Sequence, residues 1–238
     1  MKPRLSSCVF LLASAAMLVA CAHTQPSASR ERNDAADAQA RVEKAATVVD
    51  RMRSEPKVDA LLRQARGVLV VPEYGKAAWI VGGQGGVGVL TARRGEDRWS
   101  DPAFYTLGGL SIGLQAGGEV GPMAFILMTD RAVQQFEERT NRFSLGADAG
   151  LTVVAFTEQA DIASTNGAPA DVVAWSGAKG LFGGVSVGAT DVMANASLNG
   201  SYYHNLEVTP RQILAGDVNT PAGSGVLKSA LETRVASK

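Results

Sequence analysis

Residues 65–93 read ARGVLVVPEYGKAAWIVGGQGGVGVLTAR, and the fold turns on this stretch. Short apolar runs at 68–71, 77–82 and 87–93 alternate with turn formers, Pro72-Glu73-Tyr74-Gly75 among them, which is the texture of antiparallel strands. The same texture continues outward. Further strands are expected at 107–116, 123–128, 151–156, 172–175, 181–189 and 194–203, with turns at Gly95-Glu96-Asp97 and Gly117-Gly118. Many of the 26 glycines alternate inside these runs, where glycine permits bends, bulges and close backbone approach. The expected fold class is therefore α+β and predominantly antiparallel β: a curved, glycine-rich sheet, barrel-like or sandwich, with N-terminal helices and short C-terminal helices.

Upstream of the strands, Val42, Ala45, Val49 and Met52 recur near a 3.6-residue period and predict a helix over 35–53. Pro56 ends it, because the residue before a proline is disfavoured in the α region. A second helix over 57–66 presents Val58, Leu61, Leu62 and Ala65 on one side and stops at Gly67. Among the strands one helix is expected at 130–138, with Asp130 as N-cap and Val133 and Phe136 facing inward. Thr209-Pro210-Arg211-Gln212 has the spacing of a capping box with proline at the first helical position, predicting a helix at 210–215. A last helix is expected over 227–235.

The N-terminus reads as an export signal. Lys2 and Arg4 precede an apolar stretch at 9–20 (VFLLASAAMLVA), long enough for a signal-peptide core and short of the roughly 20 residues a transmembrane helix needs. Leu18-Val19-Ala20-Cys21 resembles the bacterial lipobox. That resemblance implies cleavage before Cys21 and its diacylation, so that residues 1–20 are a lipoprotein signal, palmitate-type chains hold the protein on a bilayer, and the protein belongs to the cell envelope of a diderm bacterium. Ala22 stands where an Asp would favour inner-membrane retention, so the outer membrane is the expected location. Residues 21–34, rich in Ser, Ala, Gln and charge, read as a flexible tether. The helical segment 35–66 and the β-rich domain 67–238 follow.

Charge and cysteine content narrow the functional classes. The chain carries 23 basic and 23 acidic residues. Loss of residues 1–20 removes Lys2 and Arg4 and leaves a net charge of −2, so no global attraction to nucleic acid exists and none is expected as a partner. Of the two cysteines, Cys8 departs with the signal and Cys21 is acylated, leaving no disulfide.

Two patterns imitate catalytic motifs. Gly109-Leu110-Ser111-Ile112-Gly113 fits G-x-S-x-G, which needs a strand, a sharp turn and a helix; here strand character continues on both sides and the pattern recurs around Ser186. A triad would draw on His204, with Asp148 or Asp171 between. Gly83-Gln84-Gly85-Gly86-Val87-Gly88 fits G-x-G-x-x-G, but a strand rather than a helix N-terminus is expected after it. No metal-ligating pattern appears, and no cofactor is expected. The reading from these motifs is a non-enzymatic protein, with a serine esterase or lipase as the weaker alternative.

Several stretches together resemble the SYLF-domain family, in its bacterial lipoprotein branch: residues 65–93, WSDPAFYTLGGLSIGLQAGGE, MTDRAVQQF, FSLGADAGLTV and WSGAKGLFGGVSV. The resemblance spans about 65–216. It implies a single domain with much antiparallel sheet and a lipid-binding role without catalysis. Lys76 and Lys179 match basic positions of the family blocks and are the candidate contacts for anionic phospholipid head groups, with Arg93 and Arg94 expected to extend the same patch. The helix over 35–53 lacks the large apolar residues of a membrane inserter, which leaves anchoring to Cys21. The function expected is thus that of a membrane-anchored envelope lipoprotein binding phospholipid or another membrane lipid; a structural or adhesive role through an envelope protein partner is the alternative.

Overall fold

The computed structural model describes residues 28–78, 81–95, 98–112, 117–156, 170–177 and 190–232. Its centre is a hairpin of β1 (Gly67–Ala78) and β2 (Val81–Ala92), in which Val70 lies opposite Val89 and Ala78 opposite Gly82. β3 (Ala103–Ile112) adds to β2 and β4 (Gly117–Leu127) adds to β1, both antiparallel. Shorter strands complete the sheet: β5 (Phe143–Ser144), β6 (Val153–Ala155), β7 (Val172–Ser176) and β8 (Asp191–Ala194). The order is β5-β8-β3-β2-β1-β4-β7-β6, with β6 parallel to β7 and the rest antiparallel. The sheet is single, open and curled into a half-barrel.

Residues directly opposite one another share a face, so the register sorts the core into two layers. Val70, Val89, Phe104, Ala124 and Trp175 lie along one face, and Leu69, Leu90, Phe125 and Ala174 along the other. The first face carries α1 (Ala28–Arg53), which packs on β1 and β2, together with α4 (Ala196–Tyr202) and α6 (Gly225–Leu231), both packed against α1. There the Tyr202 ring meets Phe104 edge-on at 5.1 Å. α3 (Asp130–Glu138) takes the second face: Phe136 meets Tyr105 edge-on at 5.3 Å, and the Tyr105 hydroxyl donates to the Phe136 carbonyl. α5 (Pro210–Ala215) packs on α3 and β3, and α2 (Pro56–Gln64) packs on α1. In α1 the positions Ala38, Val42, Ala45, Val49 and Met52 are fully buried. Their spacing makes one stripe, and its small side chains let the helix lie close to the sheet.

Several expectations need correction. Pro72 to Gly75 are not a turn between strands. They form a bulge inside β1, where the register slips between Val70 and Gly75 against β2 and between Val71 and Tyr74 against β4. A proline is tolerated in a strand at such a bulge. The strand expected over 77–82 is accordingly divided between β1 and β2. Gly117 and Gly118, read as a turn, lie in β4 opposite Ala78 and Ala77. The strand expected at 194–203 is mostly α4: the Asn195 side chain accepts from the Leu198 amide and caps the helix, and Leu198 and Tyr202, four residues apart, are buried on it. Helix α1 starts at Ala28, inside the stretch expected as tether, because Ala, Arg and Glu at 28–32 are good helix formers. Thr129, not Asp130, caps α3. Pro56 both ends α1 and opens α2, and the capping box at Thr209 and Gln212 is formed as expected. The strand expected at 181–189 lies outside the described residues.

Candidate functional site

The bulge in β1 makes the site. It turns Pro72 and Glu73 toward the C-terminal half of α1, and Pro122 of β4 lies alongside. Between helix and bulge runs a groove of about 330 Å³. Val48, Pro72 and Pro122 give it an apolar wall; Lys44, Arg51 and Glu73 stand at its rim. Val120, two residues before Pro122 on the same side of β4, is 69% exposed and extends the apolar strip outward.

Two cations face this groove from α1. Lys44 pairs with Glu73 at 2.8 Å, with both side chains more than half exposed. Such a pair contributes at most about 1 kcal/mol and exchanges readily with water or another anion. Arg51 donates to the Gly177 carbonyl at 2.6 Å, and its guanidinium carbon lies 5.8 Å from the centre of the Trp175 ring. Trp175 is buried and its indole donates to Glu55, so Arg51 rests against a fixed wall. Prolines and a valine thus stand beside two basic groups, an apolar surface with cations at its edge. The recurrence Lys44, Thr47, Val48, Arg51 at helical spacing was the signal available in the sequence. What it faces depends on the bulge.

The residues expected from sequence fall in different places. Cys21 and Lys179 lie outside the described residues. Lys76 lies in β1 opposite Gln84 and Glu119, at the same end of the strand as the bulge. Arg94 is exposed beyond the other end of β2. Nine residues of strand separate Gln84 from Arg93, roughly 30 Å at the rise of a strand, so Lys76 and the two arginines do not form one patch. Arg93, expected beside Arg94 at a lipid surface, has its guanidinium occupied within the fold. It donates to the carbonyls of Leu62, Arg63 and Ala65 at the end of α2 and stacks over Trp99 at 4.5 Å. The Leu62 carbonyl also accepts from the Ala65 amide, and those of Arg63 and Ala65 are carbonyls that a helix end leaves without intrahelical partners.

The catalytic patterns do not assemble. Ser111 lies within β3 opposite Gly82. His204 follows α4 at the other end of that strand, where Asn199 bonds the Phe104 backbone and the Tyr203 hydroxyl donates to Pro102. Seven residues separate Phe104 from Ser111, roughly 23 Å. Asp171 is held by Thr129, Arg131 and the Thr152 amide. Residues 83–88 are strand, without the helix N-terminus a dinucleotide needs. Ser186 lies outside the described residues. Among the described residues no cluster of His, Cys, Asp or Glu could hold a metal ion, and no helix is long and apolar enough to cross a membrane.

The Ysc84 family profile, described as "Las17-binding protein actin regulator", matches residues 108–234. Protein YSC84 of Saccharomyces cerevisiae is 32% identical over 177 residues, 73% of this chain and 37% of that protein. LAS seventeen-binding protein 3 of the same yeast is 31% identical, with 73% and 38% covered. The SH3 domain-containing YSC84-like protein 1 of Bos taurus is 27% identical, with 73% and 50% covered. The chain thus spans between about two-fifths and half the length of these relatives. No solved structure matches it.

Proposed function

Because the chain belongs to the Ysc84, or SYLF, family, we propose that it is a non-enzymatic, membrane-anchored binding protein of the cell envelope whose ligand is a phospholipid or another membrane lipid. The groove between α1 and the β1 bulge carries this reading, since its apolar wall and its two basic rim residues match the two halves of an amphiphile. Cys21 with its lipobox supports lipidation and outer-membrane location. Lys76 and Lys179 are kept as head-group contacts on the family resemblance. The family description and the name of one yeast relative speak of binding and regulation.

A relative's name favours a second reading. One yeast relative, matched in two strains, is named for binding another protein, and on this reading the sheet and its helices act through protein contacts in the envelope.

Flotation with vesicles separates the two. Without its acyl chains, as Cys21→Ser, the chain is expected to float with phosphatidylglycerol-containing vesicles and not with pure phosphatidylcholine, weakening as salt rises, because exposed charges are screened over about 8 Å at physiological ionic strength. Lys44→Glu should reduce flotation several-fold with the melting curve unchanged, since the Lys44–Glu73 pair is exposed. Each cation near an anionic surface contributes about 1 kcal/mol. Undiminished flotation when Lys44→Glu is added to Cys21→Ser would remove the groove from the reading, and absence of flotation by Cys21→Ser alone would leave protein contacts as the function.

A further inference from the structure

Away from the groove, the ends of α4 and α5 together line a second cavity of about 580 Å³ that opens to solvent. Tyr203, His204 and Asn205 come from the end of α4; Gly216, Asp217 and Asn219 come from the end of α5 and the loop after it. Both helices finish with a left-handed residue, the usual way to turn a chain off a helix. At the end of α5 that residue is Gly216, at φ +80°, where glycine bears no steric penalty. At the end of α4 it is His204, at φ +51°, the one non-glycine residue with positive φ among the described residues. Glycine would suit the backbone there as well. The histidine is held in a disfavoured conformation, and its exposed side chain lines the cavity.

The wall around it is fixed in advance. The Asn205 side chain accepts from the Glu207 amide, and Gln212, also at the wall, is tied into the capping box with Thr209. The Tyr203 hydroxyl donates to the Pro102 carbonyl at 2.8 Å and fixes the ring. A cavity of this size accommodates a ligand of two sugar units or comparable bulk. Its chemistry narrows the class. Val208 and Val218 are its only aliphatic wall beyond Gly216, too little for an acyl chain. Asp217 stands in it with no Lys or Arg among the lining residues, which disfavours a phosphate, and one carboxylate is a poor cage for a divalent cation. Asp217 and Asn219 accept, Asn219 and His204 donate, and a ligand whose groups both donate and accept satisfies the whole set. We propose that this cavity is a binding site for a neutral, polyhydroxylated ligand, a saccharide, and that His204 is one of its contacts.

The test uses the full chain with N,N′-diacetylchitobiose and maltotriose as probes, followed by calorimetric titration and by the chemical shifts of the His204 imidazole. Binding of at least one saccharide in the millimolar range or tighter is expected, with the His204 signals moving. His204→Gly should lose at least tenfold in affinity while its melting temperature stays level or rises, because the left-handed position suits glycine. Asp217→Asn should also weaken binding, with the fold intact. Retention of native affinity by His204→Gly overturns the role of His204. Absence of binding to both probes at 10 mM overturns the saccharide site, as does a response to spermidine and to neither sugar, which would mark a cation site instead.

Discussion

Asp171 shows how a carboxylate that looked available for catalysis is spent on structure. It sits just before β7, nearly buried, and takes hydrogen bonds from the Thr129 hydroxyl at 2.9 Å, Arg131 at 2.7 Å and the Thr152 amide at 2.9 Å. It thereby ties the cap of α3 to the start of β7. Burial pushes its pKa up, but the Thr152 amide, Arg131 and Thr129 together outweigh burial and hold the carboxyl below its ordinary value. A folded-state pKa below the unfolded one, near 3.9, means that the carboxylate stabilises the fold fully above that pH. The stabilisation is lost as pH falls through the lower, folded value. Asp171→Asn is therefore expected to lower the melting temperature at pH 7 and to flatten its decline between pH 4 and pH 2. Calorimetric scans across that range check it, and a variant whose decline below pH 4 matches the native chain would show that Asp171 is not the group responsible.

At the scale of elements, the glycines of β2 let neighbouring backbone come close. No described glycine within β1 to β4 has a positive φ; the positive values fall at Gly95, Gly150 and Gly216. Crowding explains the glycines instead. A Cβ on Gly85 would lie 2.5 Å from the Leu107 carbonyl oxygen, and one on Gly86 would lie 2.5 Å from that of Glu73 in the bulge. Backbone cannot yield as a side chain can, so Gly85→Val should cost about 1–3 kcal/mol or more, a fall of roughly 5 °C or more in melting temperature. Gly225→Ala, with nothing within 4 Å of the added carbon, should leave the melting temperature level or raise it. Equal losses in the two variants would mean that crowding at β2 is not what fixes glycine there.

Much of this element order was legible, and the exceptions have physical causes. The capping box at Thr209 is local chemistry, confined to four residues, and it was read correctly. The strand pattern of 68–71 and 123–128 was also local. The bulge at Pro72 was not, because a register slip exists only between strands; the sequence shows proline, a turn residue, with no sign of partners on both sides. The run after Asn195 mixes Ala, Ser, Leu and Tyr without a clear period, and the capping of Leu198 by Asn195 decided it for helix over strand. Arg93 was expected in a patch that contacts lipid head groups because nothing nearby in sequence revealed the end of α2 waiting for it. The groove was hidden for the same reason: Lys44 and Pro122 are far apart in the chain and come to one groove only where α1 packs on the sheet.

On the proposed reading, the whole molecule combines weak sites with an anchor of a different order. Its helical and sheet layers bury a continuous core that includes Trp175, Tyr105, Phe104 and Phe125, and no described helix is long and apolar enough to cross a membrane. Helix α1 spends its apolar stripe on the sheet, where Ala38, Val42, Val49 and Met52 are fully buried, so it has no second apolar face to insert. On the proposed reading, retention rests on acylated Cys21, since two or more chains give stable anchoring and one gives only marginal binding. The anchor also changes what the groove must do. A contribution of about 1 kcal/mol from each cation is negligible for a free protein, but confinement near the bilayer raises the effective concentration of head groups into the millimolar range, where weak contacts are occupied. Cys21→Ser is therefore expected to move the protein from the membrane fraction to a soluble or unprocessed pool, with residual association that disappears in high salt. Metabolic labelling with palmitate together with carbonate extraction checks both halves. Retention of the serine variant after salt and carbonate washing would show that another part of the chain holds the membrane, and the groove would then have to bind far more tightly than two surface cations allow.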